Sequence, residues 1–430
     1  MFYRVLFLSL VIVTPVLTGG QIGSAEIKHS QSGSSKNTDS AARKIHFRAF
    51  TIDTHIDVPE NFSGLRLDSD NDGINQANIP KMINGGLDLV FFSAAVGQRP
   101  RNIDAYRAAY AEAVKKISSI NRLNDLYPEH VSVATSPEQA LDIHRAGKLV
   151  AAIGLENGFP IGKKIENLHT FHELGVSYIT LTHLGHNDIA DSANPVAELG
   201  DEETEHNGLS PFGRRVVAEM NRLGMMVDVS HASKKAMLDI VKASKAPVIA
   251  SHSAVYELRG VKRNMDDEQL FALKKNGGVI QIVGYSDYLR ATEPGRQEEV
   301  KIASRQVGLV SHMDWVNATN DQYIRYSNLL QEIDRRYPRA TVQDFVDHID
   351  YVVDLIGVDF VGIGSDFYAG GGSAVGGLSG WMDTSQSPDV TEELLRRGYT
   401  EEDVNKIWGG NLLRVWREVQ TVGKESSLRK

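Results

Sequence analysis

His55 and Asp57 stand two residues apart in Thr51-Ile52-Asp53-Thr54-His55-Ile56-Asp57-Val58-Pro59. Side chains alternate faces along a β-strand, so an imidazole and a carboxylate at this spacing point the same way. They can chelate one metal ion without distorting the backbone. His-x-Asp is too common a pattern to carry that reading alone, since a lone example is more often a surface or core histidine. The deciding question is whether the ends of further strands supply more ligands.

Six of eight apolar runs of strand length stop on a residue that can bind a metal or move a proton. Phe50–Val58 carries His55 and Asp57, Leu149–Leu155 runs into Glu156, and Tyr178–His183 ends in His183. Met225–His231 ends in His231, Val248–His252 in His252, and Phe360–Asp366 in Asp366. The remaining two runs are Leu87–Val96 and Val279–Tyr285. Of the 14 histidines, four occupy this one position, which scattered core histidines would not do. With His55, Asp57, Glu156, His231 and His252 as ligands, the mixture of N and O donors suits one or two zinc-like ions. Two ions need a bridging group, and Glu156, with two oxygens and a strand to itself, is the natural candidate. Metal ions lower the pKa of bound water enough to make it a nucleophile at neutral pH, so the chemistry is hydrolytic.

Such residues need a scaffold that brings strand ends together. Between most runs lie stretches of helical period with recognisable caps. Ser210-Pro211 starts Phe212–Leu223 and Gly224 closes it; Ser233 starts Lys234–Ala243. Asp266 with Gln269 has the form of a capping box on a helix ended by Gly277-Gly278, and Thr341 begins Val342–Ile356, terminated by Gly357. Strands alternating with helices imply a parallel sheet with right-handed crossovers, and eight units close most simply into a (β/α)8 TIM-type barrel. The fold class is therefore α/β, with the metal site at the C-terminal ends of the strands. Residues 97–148 carry extra helical material, and residues 286–340, with Trp315, Tyr323 and Tyr326, are too long for an ordinary βα loop. They predict a helical insertion over the end where substrate is admitted.

The 430-residue chain is 41% hydrophobic and 23% charged, which permits a sizeable core and excludes wholesale disorder. At a net charge of −9, with its cations scattered, it has no basic patch for nucleic acid. Residues 1–25 read as a secretory signal peptide: Arg4, an apolar run from Val5 to Val13, then Gly23-Ser24-Ala25. The apolar run is well short of the roughly 20 residues a spanning helix needs, so no stable membrane anchor is expected after cleavage. The expected destination is the periplasm or the extracellular space. Residues 26–42 read as a flexible polar leader, 43–420 as the hydrolase domain and 421–430 as a polar tail. The chain has no cysteine, so export brings no disulfides and any metal is held by His, Asp and Glu.

Eight blocks resemble, in the same order, those of the membrane (renal) dipeptidase family of zinc peptidases, from about residue 45 to 418. They are Ile52-Asp53-Thr54-His55-Ile56-Asp57, Gly154-Leu155-Glu156-Asn157-Gly158, Leu181-Thr182-His183, Val227-Asp228-Val229-Ser230-His231, Ser251-His252-Ser253-Ala254, Arg263-Asn264, Gly362-Ile363-Gly364-Ser365-Asp366-Phe367 and Gly409-Gly410-Asn411-Leu412-Leu413-Arg414-Val415. The resemblance implies a barrel with two zinc ions per chain that hydrolyses dipeptides. His55, Asp57 and Glu156 would hold one ion, and Glu156, His231 and His252 the other. It implies that His183 steadies the oxyanion, that Arg263 pairs with the substrate's terminal carboxylate, and that Asp366 shuttles the proton. It also implies a homodimer. One departure is that Asn157-Gly158-Phe159 follows Glu156 where family members often carry Gly-Gly-His.

Two other functions compete. A metallohydrolase acting on a cyclic amide, lactone or β-lactam would use the same metals, but Arg263 argues for a free carboxylate on the substrate. A non-catalytic binding protein would have no use for all five ligands together with Asp366. His186, three residues after His183, reads as a loop residue or one that supports the ligands from behind rather than as a ligand. Gly409-Gly410-Asn411 reads as closing the barrel's end, and Trp408 and Trp416, eight apart, as core packing on one helical face.

Overall fold

The computed structural model describes residues 41–69, 75–370 and 376–428. The expected signal peptide and all but the last two residues of the leader lie outside that set. Ala41 and Ala42 already belong to the helix Ala41–His46. At the other end the last helix, Asn411–Leu428, runs through the stretch expected to be a polar tail.

Ten strands form one parallel sheet: β1 Ile52–Asp57, β2 Leu89–Ser93, β3 Val131–Val133, β4 Leu149–Glu156, β5 Val176–Thr180, β6 Met226–Asp228, β7 Ile249–Ser253, β8 Val279–Val283, β9 Val361–Gly364 and β10 Phe367–Tyr368. The order is β10-β1-β2-β4-β5-β6-β7-β8-β9, with β3 paired to β4 off this path. β9 and β10 are a single path interrupted only at Ser365-Asp366. Because β10 pairs with β1, Ile56 opposite Phe367 and Asp57 opposite Tyr368, the eighth barrel strand returns to the first. The architecture is the expected TIM-type barrel. β3 is the addition, lying within the segment expected to carry extra helical material, between the helices Ile103–Asn121 and Leu123–Leu126 on one side and Pro137–Arg145 on the other.

The caps behave as their residue types require. Ser210 accepts from Gly213 N and Ser233 from Ala236 N, satisfying amides that have no partner in the first helical turn. Asp266 and Gln269 make both bonds of a capping box, as do Thr341 and Asp344.

The N-terminal end of the barrel is closed by apolar packing. Trp416 and Phe91 lie 5.2 Å apart and Phe91 and Tyr178 5.6 Å, in a cluster with Ile52, Leu89, Val150, Met226, Ile249, Leu412 and Val419. Asn411 donates to Val358 O and Val361 O, and Gly409 permits the helix to approach Phe50, whose carbonyl would lie 2.2 Å from a Cβ there. The Gly-Gly-Asn block thus closes the barrel, as expected. Trp408 and Trp416 are both buried, but in separate clusters: Trp408 meets His46 and donates to Thr391 Oγ1. The expected core packing holds for both, with Trp408 lying inside a wider π-type turn, Lys406–Gly410.

Residues 286–340 form the helices Ser286–Leu289, Pro294–Gln306, His312–Val316 and Asn320–Asp334. They have a small core of their own from Ala303, Val307, Leu309, Tyr326, Leu330 and Ile333. Among the described residues, no helix is long and apolar enough to cross a membrane.

Candidate metal centre

The ligand-bearing residues lie at and just beyond the strand ends rather than inside them. β5 ends at Thr180, three residues before His183, and β6 ends at Asp228, three before His231. These strands are shorter than the alternation predicts because side chains take over ladder positions. Asp228 Oδ1 accepts from the amides of Ser230 and Ser251 at 3.0 and 2.9 Å, and Asp53 Oδ1 from those of His55 and Ser365 at 3.1 and 2.9 Å. Among the described residues, three of the four non-glycine residues with positive φ stand at this rim: Asn157 (80°), His231 (65°) and Asp366 (59°). A left-handed residue turns the chain out of the sheet's alternation, a conformation that costs energy and is held by the surrounding structure.

The side chains converge as expected. Three groups have donor atoms within 4.8 Å of one another: His55 with Asp57 and Glu156; Glu156 with His231 and His252; and His55 with His252 and Asp366. Glu156 is shared, and its oxygens are divided. Oε2 lies 3.7 Å from His55 Nε2, whereas Oε1 lies 3.1 Å from His231 Nε2 and 3.3 Å from His252 Nε2. His55 Nε2 and Asp57 Oδ1 are 3.4 Å apart, and both are buried without a hydrogen-bond partner. Ligands about 2.0–2.1 Å from a tetrahedral ion are roughly 3.3 Å from one another, so these spacings fit zinc. His183 Nε2 is 4.0 Å from Glu156 Oε1, with its ring 4.5 Å from that of His231. Arg263 is buried beside the second group, donating to Ser253 Oγ at 2.7 Å and His252 O at 2.5 Å. Its Nε has no partner and its guanidinium lies 5.5 Å from the Tyr288 ring centre, so part of its donor fork remains for a ligand. His186 is a loop clasp, as expected: Nε2 donates to Glu202 O and Nδ1 accepts from Ser192 N.

Two histidines are oriented from behind. Tyr178 Oη donates to Thr54 O at 3.0 Å, so it accepts from His55 Nδ1, also at 3.0 Å, which leaves Nε2 facing Asp57 and Glu156. Ser251 Oγ donates to Asp228 at 2.6 Å and accepts from His252 Nδ1 at 2.8 Å, which leaves that Nε2 facing Glu156. Tyr178 reaches the barrel interior only because residue 154 is glycine: a Cβ there would lie 2.2 Å from its Cζ. Neither Asp228 nor Tyr178 stands out in the sequence as a supporting residue: alternation puts Asp228 on the face opposite His231, and Tyr178 meets His55 only across the barrel.

The electrostatics follow the packing. Burial opposes a charge on His55, but Glu156, Asp57 and Asp366 outweigh it and lift the imidazole to about 10. Burial opposes a charge on Glu156 too, but His183 and His55 outweigh it and hold the carboxyl well below the usual carboxylate range. His231 and His252 are pushed down by burial and by cationic neighbours including Arg263, so they present neutral lone pairs. Burial, reinforced by Asp57 and Glu156, pushes Asp366 up to about 7 against the pull of His55.

A parallel barrel whose mouth gathers imidazoles and carboxylates around a shared glutamate defines a metal-dependent hydrolase. Over residues 40–430 the chain matches the membrane dipeptidase family, peptidase family M19, and it belongs to that family as a metallo-dipeptidase. It is 34% identical over 349 residues to "Dipeptidase tcpJ" of Claviceps purpurea (strain 20.1), covering 80% of this chain and 69% of that one. It is 32% identical over 356 residues to "Dipeptidase aclJ" of Aspergillus oryzae, covering 81% and 71%. Among solved structures, the probable dipeptidase PvdM from Pseudomonas aeruginosa superposes with a TM-score of 0.76 at 31% identity, over 89% of this chain and 98% of that one.

Proposed function

We propose that this protein is an exported dipeptidase with two zinc ions per chain. The observation that carries the reading is the division of Glu156, one oxygen toward His55 and Asp57, the other toward His231 and His252. Zinc, when bound, polarises the scissile carbonyl and lowers the pKa of water.

The chain's own residues do the rest. Arg263 offers two-pronged donors to the substrate's terminal carboxylate and so selects a free C-terminus. His183, partly exposed beside Glu156, donates to the oxygen on which charge develops. Asp366, placed beside His55 and His252, takes the proton of the attacking water and returns it to the leaving amine. Export rests on residues 1–25 and the homodimer on the family resemblance.

The test combines metal analysis with a panel of dipeptides carrying L- and D-residues at each position and their C-terminally amidated analogues. About two equivalents of zinc and turnover confined to free carboxylates are expected. Equal turnover of the amides removes the role given to Arg263. Cell fractionation tests export, and sedimentation tests the dimer.

A further inference from the structure

We propose that Tyr323 of the insertion and Tyr368 of β10 form the pocket for the side chain of a dipeptide's N-terminal residue, and that this pocket selects bulky apolar or aromatic side chains. The inference rests on the dipeptidase reading and adds to it a substrate class.

Tyr368 is placed by register. It sits opposite Asp57 across the β1–β10 ladder, and partners in a parallel pair project to the same face. The neighbouring pair, Ile56 and Phe367, projects into the apolar core, which leaves Asp57 and Tyr368 on the side of the metal centre. Tyr323 comes from the insertion: its ring centre lies 5.7 Å from that of Tyr368, the planes inclined at 37°. Trp315 backs it at 6.2 Å and in turn meets Tyr326 at 5.0 Å. Tyr323 and Tyr368 are both half-buried, so part of each ring surface remains open to a ligand. Burial followed by the charge of Asp57 pushes the Tyr323 phenol up to about 12, in keeping with a position facing that carboxylate.

The wall is fixed in place. His312 Nε2 donates to Gln98 O at 2.8 Å, and the amide of His312 donates to Glu198 Oε2 at 2.8 Å, tying the insertion to the loops after β2 and β5. Two glycines make the fit possible. A Cβ on Gly97 would lie 2.7 Å from Val316, and one on Gly370 2.4 Å from the Tyr368 ring.

The assignment to the first residue follows from which half of the centre each feature adjoins. Arg263 bonds to His252 O and Ser253 Oγ, on the half held by His231 and His252. Tyr323 and Tyr368 adjoin Asp57, on the half held by His55. An extended dipeptide is only about 7 Å long. With its carboxylate at Arg263 and its peptide bond over Glu156, its first residue therefore falls against the tyrosine wall. Aromatic contact and apolar burial both reward a large side chain there.

The test measures kcat and KM for Gly-Ala, Leu-Ala and Phe-Ala, and for the mirrored set Ala-Gly, Ala-Leu and Ala-Phe, with the zinc-loaded wild type, Y323F and Y323A. The wild type and Y323F should favour Phe-Ala over Gly-Ala by about tenfold or more in kcat/KM, with no such preference in the mirrored set. Y323A should bring that ratio toward one through a higher KM for Phe-Ala. A wild type that hydrolyses both sets without preference at the first position, or prefers bulk only at the second, overturns the inference while leaving the dipeptidase reading intact. A wild type that hydrolyses none of the six overturns both.

Discussion

The two ends of the barrel are built on opposite terms. At the N-terminal end, Trp416, Phe91 and Leu412 pack in an apolar cluster in which, among the described residues, the Trp416 Nε1 lacks a partner, while Asn411 satisfies two carbonyls and His46 is held by Thr391 and Gly85. At the C-terminal end, His55 Nε2, Asp57 Oδ1 and His231 Nδ1 are buried without hydrogen-bond partners, and three non-glycine residues are left-handed. A buried polar group without a partner costs about 1–3 kcal/mol. Such a cluster is carried by stability supplied elsewhere in the fold, and a bound metal would satisfy it. One end holds the fold and the other holds the chemistry, joined through Tyr178, which packs on Phe91 and bonds to His55.

The sharpest test of that division is Glu156→Gln, which should abolish uptake of both ions and lower kcat by on the order of a thousandfold or more, with the fold retained by circular dichroism. His55→Ala should leave about one equivalent of zinc by elemental analysis, since His231 and His252 stay in place. If both ions vanish, the halves are too tightly coupled for separate assignment. Trp416→Ala, at the other end, should cost about 3–5 kcal/mol in denaturant unfolding while leaving metal stoichiometry unchanged. Loss of metal in that variant would break the comparison.

The pH dependence of stability should carry opposite signs at the two ends. Burial holds His46 down at about 4 against an ordinary 6.5, so the stability it contributes is present above pH 6.5 and lost as pH falls through 4. Asp366 is raised to about 7 from 3.8, so its contribution is full below 3.8 and lost as pH rises through 7. In the chelated protein, His46→Gln should flatten the acid limb of the stability profile and Asp366→Asn the neutral limb. The smallest effect belongs to the residues behind the ligands: Tyr178→Phe and Ser251→Ala should each weaken zinc affinity by about 10–100-fold in chelator competition. Tyr178→Phe should act on the His55 ion and Ser251→Ala on the His252 ion.

Much of this was legible in the chain itself. Strand-length apolar runs between capped helices defined the barrel, and the five expected ligands do meet at its mouth, because alternation and capping are local and survive any tertiary context. The strand ends were read too long. Asp53 and Asp228 bond to backbone amides that would otherwise extend the ladders, a competition invisible to a pattern of alternating residues. β3 was missed because three residues, Val131-Ser132-Val133, are too short to separate from the helices around them.

What the sequence by itself determined was the kind of chemistry: which donors exist, that none is a thiolate, and that they recur at one position in a repeating unit. What only the tertiary structure decided was how they are shared. Which oxygen of Glu156 serves which half, which ring nitrogen of His55 and His252 faces it, and that Tyr323 meets Tyr368 beside Asp57 all depend on closing the sheet. Residues more than a hundred positions apart, such as His55 and Tyr178, become neighbours only when β10 pairs with β1, and no local periodicity encodes that distance.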